Sequence, residues 1–358
     1  MIIGCGYIAQ AEHIPNWRHS NLGNIVAVVD IRESVARQIG TKLGVPYFTD
    51  FATALDSCDC DIVHICTPAE THVALIELAA QHGKHVLVEK PLAVDLESAT
   101  RAVRAAQVAK IKLMVGYPRV FDTDFHFVEE QITKGYLGNI VWMQSIWKLS
   151  LPPVYVKIAP APRTLTYGKF EDGTPAALQA IFLEESIHHL NLFQRWLGVP
   201  TSVETVLNAG KLWHVCLIFN GAIPVWHTNT GPIGHGEELW VYGEEQTIYA
   251  RPWSPHFPWT YGHCEVWVQS NGKTVIPALA RRNPYLLMLE EFVASIQEDR
   301  PPMLDPAEAV RDIALIERIV AHYVHGLPAS DRGNICLLYT SDAADDLLCV
   351  DLGGRRII

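Results

Sequence analysis

No run of apolar residues in this chain reaches the ~20 needed to span a bilayer, and no basic-then-apolar leader opens it. Neither a membrane span nor export is therefore expected, and the expected location is the cytoplasm. Charge is sparse and one-sided: 28 Lys and Arg stand against 39 Asp and Glu, a formal net charge of −11. Phosphate backbones are bound by net basic faces, so nucleic acid is not an expected partner. Of the eight cysteines only Cys58 and Cys60 lie close together, and no CxxC pair exists. That predicts reduced thiols rather than a disulfide framework. The 16 histidines show no HExxH or comparable spacing, so no metal is expected.

What is present is apolar mass: 49% of 358 residues, enough for two domains with real cores. From residue 1 to about 118, short apolar runs (Ile2-Ile3, Ile25 to Val29, Ile62 to Cys66, His85 to Val88, Lys112 to Val115) alternate with helical stretches (Ser34 to Leu43, His72 to His82, Leu96 to Ala109). This alternation predicts a parallel sheet covered on both faces, an N-terminal doubly wound Rossmann domain over 1–118. Beyond it, Val141 to Leu149, Ser202 to Asn208, Leu212 to Phe219, Glu238 to Tyr242, Thr247 to Ala250 and Glu265 to Gln269 read as strands, with a turn at Asn271-Gly272. Helices are expected over Pro284 to Gln297 and from Pro306, capped by Asp305. The fold class is thus α/β: the Rossmann sheet, then an α+β substrate domain over 119–330 with a large open, mostly antiparallel sheet. Tryptophans concentrate in those later strands, which predicts one sheet face against helices and the other against a second subunit, as a homodimer or homotetramer. Pro-rich residues 151–175 read as a functional loop, although their charges suit a solvated face equally well.

Both ends look artificial. Only Met1 to Ile3 precede the first glycine, so the first strand is expected to be truncated. CLLYTSDAAD from Cys336 and VDLGGRRII from Val350 resemble in-frame translations of a transposon-type sequencing-library adapter, so 336–358 is set aside as an adapter-derived tail.

Gly4-Cys5-Gly6-Tyr7-Ile8-Ala9 fits GxGxxA: one glycine for the turn, one for close approach of a pyrophosphate, and a small residue for helix–strand packing. The helix start offers free N–H groups to an anion. Asp30, at the end of the next strand, would accept bonds from the ribose hydroxyls and repel a 2′-phosphate, favouring NAD, while Arg32 keeps NADP open. Thr67-Pro68 and Glu89-Lys90-Pro91 end further strands, and His72 opens a helix. Ligands of parallel sheets collect at such strand ends. The candidate cofactor residues are Gly4, Gly6, Tyr7, Ile8, Asp30, Arg32, Thr67, Pro68, His72, Glu89 and Lys90.

GCGYIA, ICTPAETH at 65–72 and VEKP at 88–91 resemble the Gfo/Idh/MocA (glucose–fructose oxidoreductase, inositol dehydrogenase, rhizopine catabolism) family. So do RVFD at 119–122, GYLGNI at 135–140, EESIHHLNLFQRWLG at 184–198 and FVASIQEDRPP from Phe292, so the resemblance spans about 1–325. It implies an NAD-dependent oxidoreductase of a sugar, inositol or related polyol. In it the EKP lysine, here Lys90, and a histidine, here His188, flank the substrate hydroxyl. Glu184 falls on the family's acidic position, and Asn191 stands where Asp is usual, which an amide cannot replace as a charge. On an α-helix Glu184 and His188 would share a face while His189 points elsewhere. The implied reaction has His188 accept the hydroxyl proton and Lys90 stabilise the oxyanion. Arg119, Asn191 and Tyr155 are candidate substrate contacts. His189 keeps a structural reading, as does His72, which also stands where it could line the cofactor. An NAD-using glycosidase on the same scaffold and a non-catalytic dinucleotide-binding regulator are the alternatives.

Overall fold

The computed structural model describes residues 1–149, 173–210, 212–230, 235–252 and 265–326. Tyr155 with nearly all of the 151–175 segment, Cys264, and the 336–358 tail lie outside the described residues.

Six strands form the first sheet: β1 (Ile2–Ile3), β2 (Val28–Val29), β3 (Tyr47–Phe48), β4 (Ile62–Ile65), β5 (His85–Glu89) and β6 (Leu113–Gly116). Their order is β3-β2-β1-β4-β5-β6 and every pairing is parallel. Strands buried on both faces need unbroken apolar runs, and Val86, Leu87 and Val88 are all fully buried. The helices follow as α1 (Ile14–His19), α2 (Glu33–Leu43), α3 (Phe51–Ser57), α4 (Ala69–Gln81) and α5 (Leu96–Ala109). Helix α1 continues a π-helical turn over Ala9–His13 that starts just after the glycine turn. The side chains of Asp50 and Asp95 cap α3 and α5.

After β6 a 3₁₀ turn (Pro118–Phe121) leads to α6 (Thr123–Thr133) and to the second sheet. Its strands are β7 (Ile140–Leu149), β8 (Ser202–Ala209), β9 (Leu212–Phe219), β10 (Ile223–Asn229), β11 (His235–Gly243), β12 (Thr247–Arg251), β13 (Glu265–Ser270) and β14 (Lys273–Val275). The order is β14-β13-β12-β11-β7-β10-β9-β8, antiparallel except for the β7–β10 pair. Strand β10 escapes a sequence reading because Pro224 interrupts its apolar pattern, and its inward positions include buried His227 and Asn229. Between β7 and β8 lie α7 (Pro175–Ile181), a π-helical turn (Phe182–Ser186) and α8 (Ile187–Leu197); α9 (Pro284–Gln297) and α10 (Pro306–Gly326) follow β14. Asp305 accepts the Ala307 N–H at 2.9 Å, as a cap should. Among the described residues no helix is long and apolar enough to cross a membrane.

Candidate active site

The site begins at the glycine turn. Gly4 has φ +84°, and a Cβ there would sit 2.8 Å from both the Cys66 carbonyl oxygen and Thr67 Cγ2. This turn holds β1 against the end of β4 and admits no side chain. Gly6 is the opposite case: a Cβ on it would meet nothing within 4 Å. Bare backbone facing open space at a helix start suits a pyrophosphate, with Tyr7 and Ile8 half-buried beside it. Asp30 is tied back into this turn, its Oδ2 accepting the Cys5 N–H at 2.9 Å. Arg32 covers the same carboxylate, Nε to Oδ1 at 2.9 Å and Nη2 to Oδ2 at 2.8 Å. Burial pushes the Asp30 carboxyl up, but the bonds from Arg32 and Cys5 outweigh it and hold the group below its ordinary value. The guanidinium mutes the repulsion of a 2′-phosphate that an isolated Asp30 would exert. These residues fit a dinucleotide, with Thr67 half-buried and Pro68 exposed at the neighbouring strand end.

His72 lies deeper than a cofactor-lining role requires. It is fully buried, with Nδ1 2.8 Å from the Pro91 carbonyl and Nε2 2.8 Å from the Thr67 carbonyl, so it ties two strand-end loops together. Glu89 turns both oxygens to protein as well. Oε1 meets His13 Nε2 at 2.6 Å and Oε2 accepts the Lys90 N–H at 3.1 Å. Burial works against its charge, yet His13 and Lys90 hold the carboxyl below its ordinary value. Glu89 is thus a brace under Lys90 rather than a cofactor contact.

Lys90 is half-buried and its Nζ donates to the main-chain carbonyl of Glu184, which brings the end of β5 to the π-helical turn before α8. That turn alters one expectation. Over 182–186 the chain is π-helical, so Glu184 and His188 do not share a face as on an α-helix: Glu184 is exposed whereas His188 is buried. Glu184 meets Lys90 through its backbone.

His188 stacks on Trp147, ring centroids 5.3 Å apart and planes 10° from parallel, and packs on the Tyr117 ring edge at 6.3 Å. Two aromatic contacts fix the imidazole plane, a preorganisation a catalytic base requires. Neither partner carried a motif signal, although Trp147 lies on the inward face of β7. His189 points elsewhere and reaches Glu237 Oε2 at 3.3 Å. Arg119 is buried too, paired with Glu237 and lying over the Trp147 ring. Burial opposes the Glu237 charge, but Arg119 and His189 hold its carboxyl low. Arg119 therefore supports the wall behind His188 instead of presenting its charge to a substrate. Asn191 is likewise buried, donating Nδ2 to Asp312 Oδ2 at 2.8 Å, and is not a surface for substrate.

Among the described residues one group has metal-ligand chemistry: His13, His64 and Cys66, ligand atoms within 4.8 Å of one another and all buried. The Trp17 indole N–H donates to His64 Nδ1 at 3.0 Å, so neutral His64 carries its proton on Nε2 and offers no lone pair there. The cluster reads as packed histidines.

Residues 1–117 match the model of an oxidoreductase family with an NAD-binding Rossmann fold, GFO_IDH_MocA. The chain is 28% identical to the myo-inositol 2-dehydrogenase of Thermotoga maritima over 267 residues, 70% of this chain and 74% of that protein. It is 25% identical to the scyllo-inositol 2-dehydrogenase (NAD(+)) of Bacillus subtilis over 328 residues, 85% and 87% of the two chains. The aldose–aldose oxidoreductase of Caulobacter crescentus, solved with glycerol, superposes with a TM-score of 0.75 at 20% identity, covering 91% of this chain and 97% of that one.

Proposed function

Because the chain belongs to the Gfo/Idh/MocA oxidoreductase family, we propose that it is a cytoplasmic, NAD-dependent dehydrogenase acting on a secondary alcohol of a sugar, inositol or related polyol. The dinucleotide belongs to the 1–118 region and the substrate to 119–330. Gly4, Gly6, Tyr7, Ile8, Asp30, Arg32, Thr67 and Pro68 would hold the dinucleotide, whose nicotinamide supplies the hydride acceptor when bound. NAD is the preferred form, since Asp30 is the buried group at the ribose end. The observation that carries the reading is the convergence of Lys90 with the turn leading into His188.

His188 accepts the hydroxyl proton as the alcohol is oxidised, and Lys90 stabilises the negative charge left on oxygen. The stacked Trp147 and Tyr117 keep the imidazole in one plane and exclude water from one side. Activity calls for Lys90 to leave the Glu184 carbonyl for the substrate oxygen.

Purified protein assayed with a panel of polyols and sugars, with NAD and separately NADP, should form NADH with at least one polyol. Lys90→Ala and His188→Ala should lower kcat by about 10²-fold or more. Equal turnover in both variants, or no reduced cofactor with any panel member, would sink the reading.

The second part of the proposal is a homodimer or homotetramer built on the outer face of the second sheet. That face carries an aromatic ladder: Trp142 stacks on Tyr242 at 4.2 Å, Tyr242 on Trp240 at 5.8 Å, and Trp240 meets Trp267 at 5.2 Å. These rings are half-buried, an apolar stripe of the kind a second subunit covers.

A further inference from the structure

We propose that Asp312 is a positioning residue for the His188 site: its buried carboxylate on α10 sets how tightly that imidazole holds a proton. The inference rests on His188 being the proton acceptor.

Asp312 is 1% exposed. Its Oδ2 accepts from Asn191 Nδ2 at 2.8 Å and its Oδ1 from Gln194 Nε2 at 2.7 Å. Both donors sit on α8, and Asn191 lies one turn beyond His188 on that helix. Both are uncharged, so nothing there cancels a carboxylate. Tyr117 bridges the remaining gap. Its ring packs edge-on to His188, while burial and the charge of Asp312 push its phenol titration up. The Tyr117 hydroxyl feels that charge although it makes no hydrogen bond within ordinary geometry.

A buried carboxylate with only amide partners is a costly filler, since an amide or an apolar side chain would occupy the place more cheaply. What the acid adds is a charge that can switch. Burial lifts its titration to about 7, with Glu308 on the same helix pushing further in that direction. Glu308 is itself paired with Arg195 of α8, so that arginine is engaged elsewhere. Tyr117, Asn191, Gln194 and Glu308 are the groups that act on it. Above neutrality the ionised carboxylate favours an imidazolium at His188, and below it that support is withdrawn.

The decisive measurement is an NMR titration of ¹³C-histidine-labelled protein, with His188 assigned from His188→Gln. It compares wild type, Asp312→Asn and the exchange Asn191→Asp/Asp312→Asn. Asp312→Asn should lower the proton affinity of His188 by about threefold to tenfold and abolish its inflection near neutrality. The exchange, which keeps one carboxylate and one amide in contact, should restore most of that affinity and guards against a variant that merely misfolds. In turnover, Asp312→Asn should shift the pH profile of kcat and leave KM for NAD within about twofold. A His188 titration identical in all three proteins overturns the proposal. Wild-type protein that reduces no NAD with any polyol refutes the dehydrogenase reading instead, and the titration still decides whether Asp312 governs His188.

Discussion

Gly4 and Gly6 stand two residues apart, and a side chain added to either would meet different surroundings. Gly4→Ala forces a Cβ onto the Cys66 carbonyl at φ +84° and should destabilise the fold by about 2–4 kcal/mol in denaturant titrations. Gly6→Val should leave stability within about 1 kcal/mol but weaken NAD binding by about tenfold or more in calorimetry, because its side chain would fill the space a pyrophosphate needs. Loss of stability in the second variant, or unchanged NAD affinity, would contradict this division of roles. Two buried acids make a pH prediction. Burial raises Asp122 and Asp312 from an ordinary 3.8 to about 7, so the folded chain holds protons the unfolded chain gives up. Their contribution to stability is therefore fully present below pH ~4 and falls as pH rises toward 7. Melting temperature should drop between about pH 5 and 7, and Asp122→Asn or Asp312→Asn should flatten the slope. Residues that act through local backbone geometry were legible in the sequence: Gly4, Asp30 and Lys90 sit at strand ends wherever a doubly wound sheet forms. Arg119 was not, because its partner Glu237 is far away in sequence and only the folded second sheet brings them together.

Helix α8 and the turn before it carry the proton-handling side of the site. The π-helical turn at 182–186 accommodates an extra residue, and it sets which way His188 faces. Deleting Glu185, which lets the turn relax to α-helix, should rotate the imidazole by about 100° off Trp147. Turnover should then fall about 10²-fold or more while NAD affinity is kept; retained turnover would show that the turn is incidental. Element type was mostly readable from apolar periodicity, including α9, α10 and the alternating strands of the second sheet. The π turn was not, since its residues, FLEES, differ in nothing visible from an α-helical stretch. Strand β10 failed for a related reason, its polar inward residues being satisfied only by neighbours such as Ser145, 2.8 Å from His227 Nδ1, and Ser186, which accepts from Asn229 at 3.2 Å.

The whole molecule is two sheets clasped along a seam. Lys90 reaches the carbonyl of Glu184, Arg119 pairs with Glu237, and Glu317 of α10 accepts the Leu96 N–H at 2.9 Å. The outer aromatic ladder lies away from this seam, so Trp240→Glu should yield a monomer by light scattering while cofactor affinity stays within about twofold. A wild-type protein that is already monomeric would remove the sheet face as an assembly surface. The order of both sheets follows from strand–helix alternation and the hairpins between neighbours, but the contacts across the seam do not, because each joins residues whose proximity exists only after both halves have folded. One consequence concerns the amine at the end of β5. The same ammonium clasps the two halves and serves the alcohol, so acylating that nitrogen would loosen the hinge and silence the chemistry in a single event, with no second switch required.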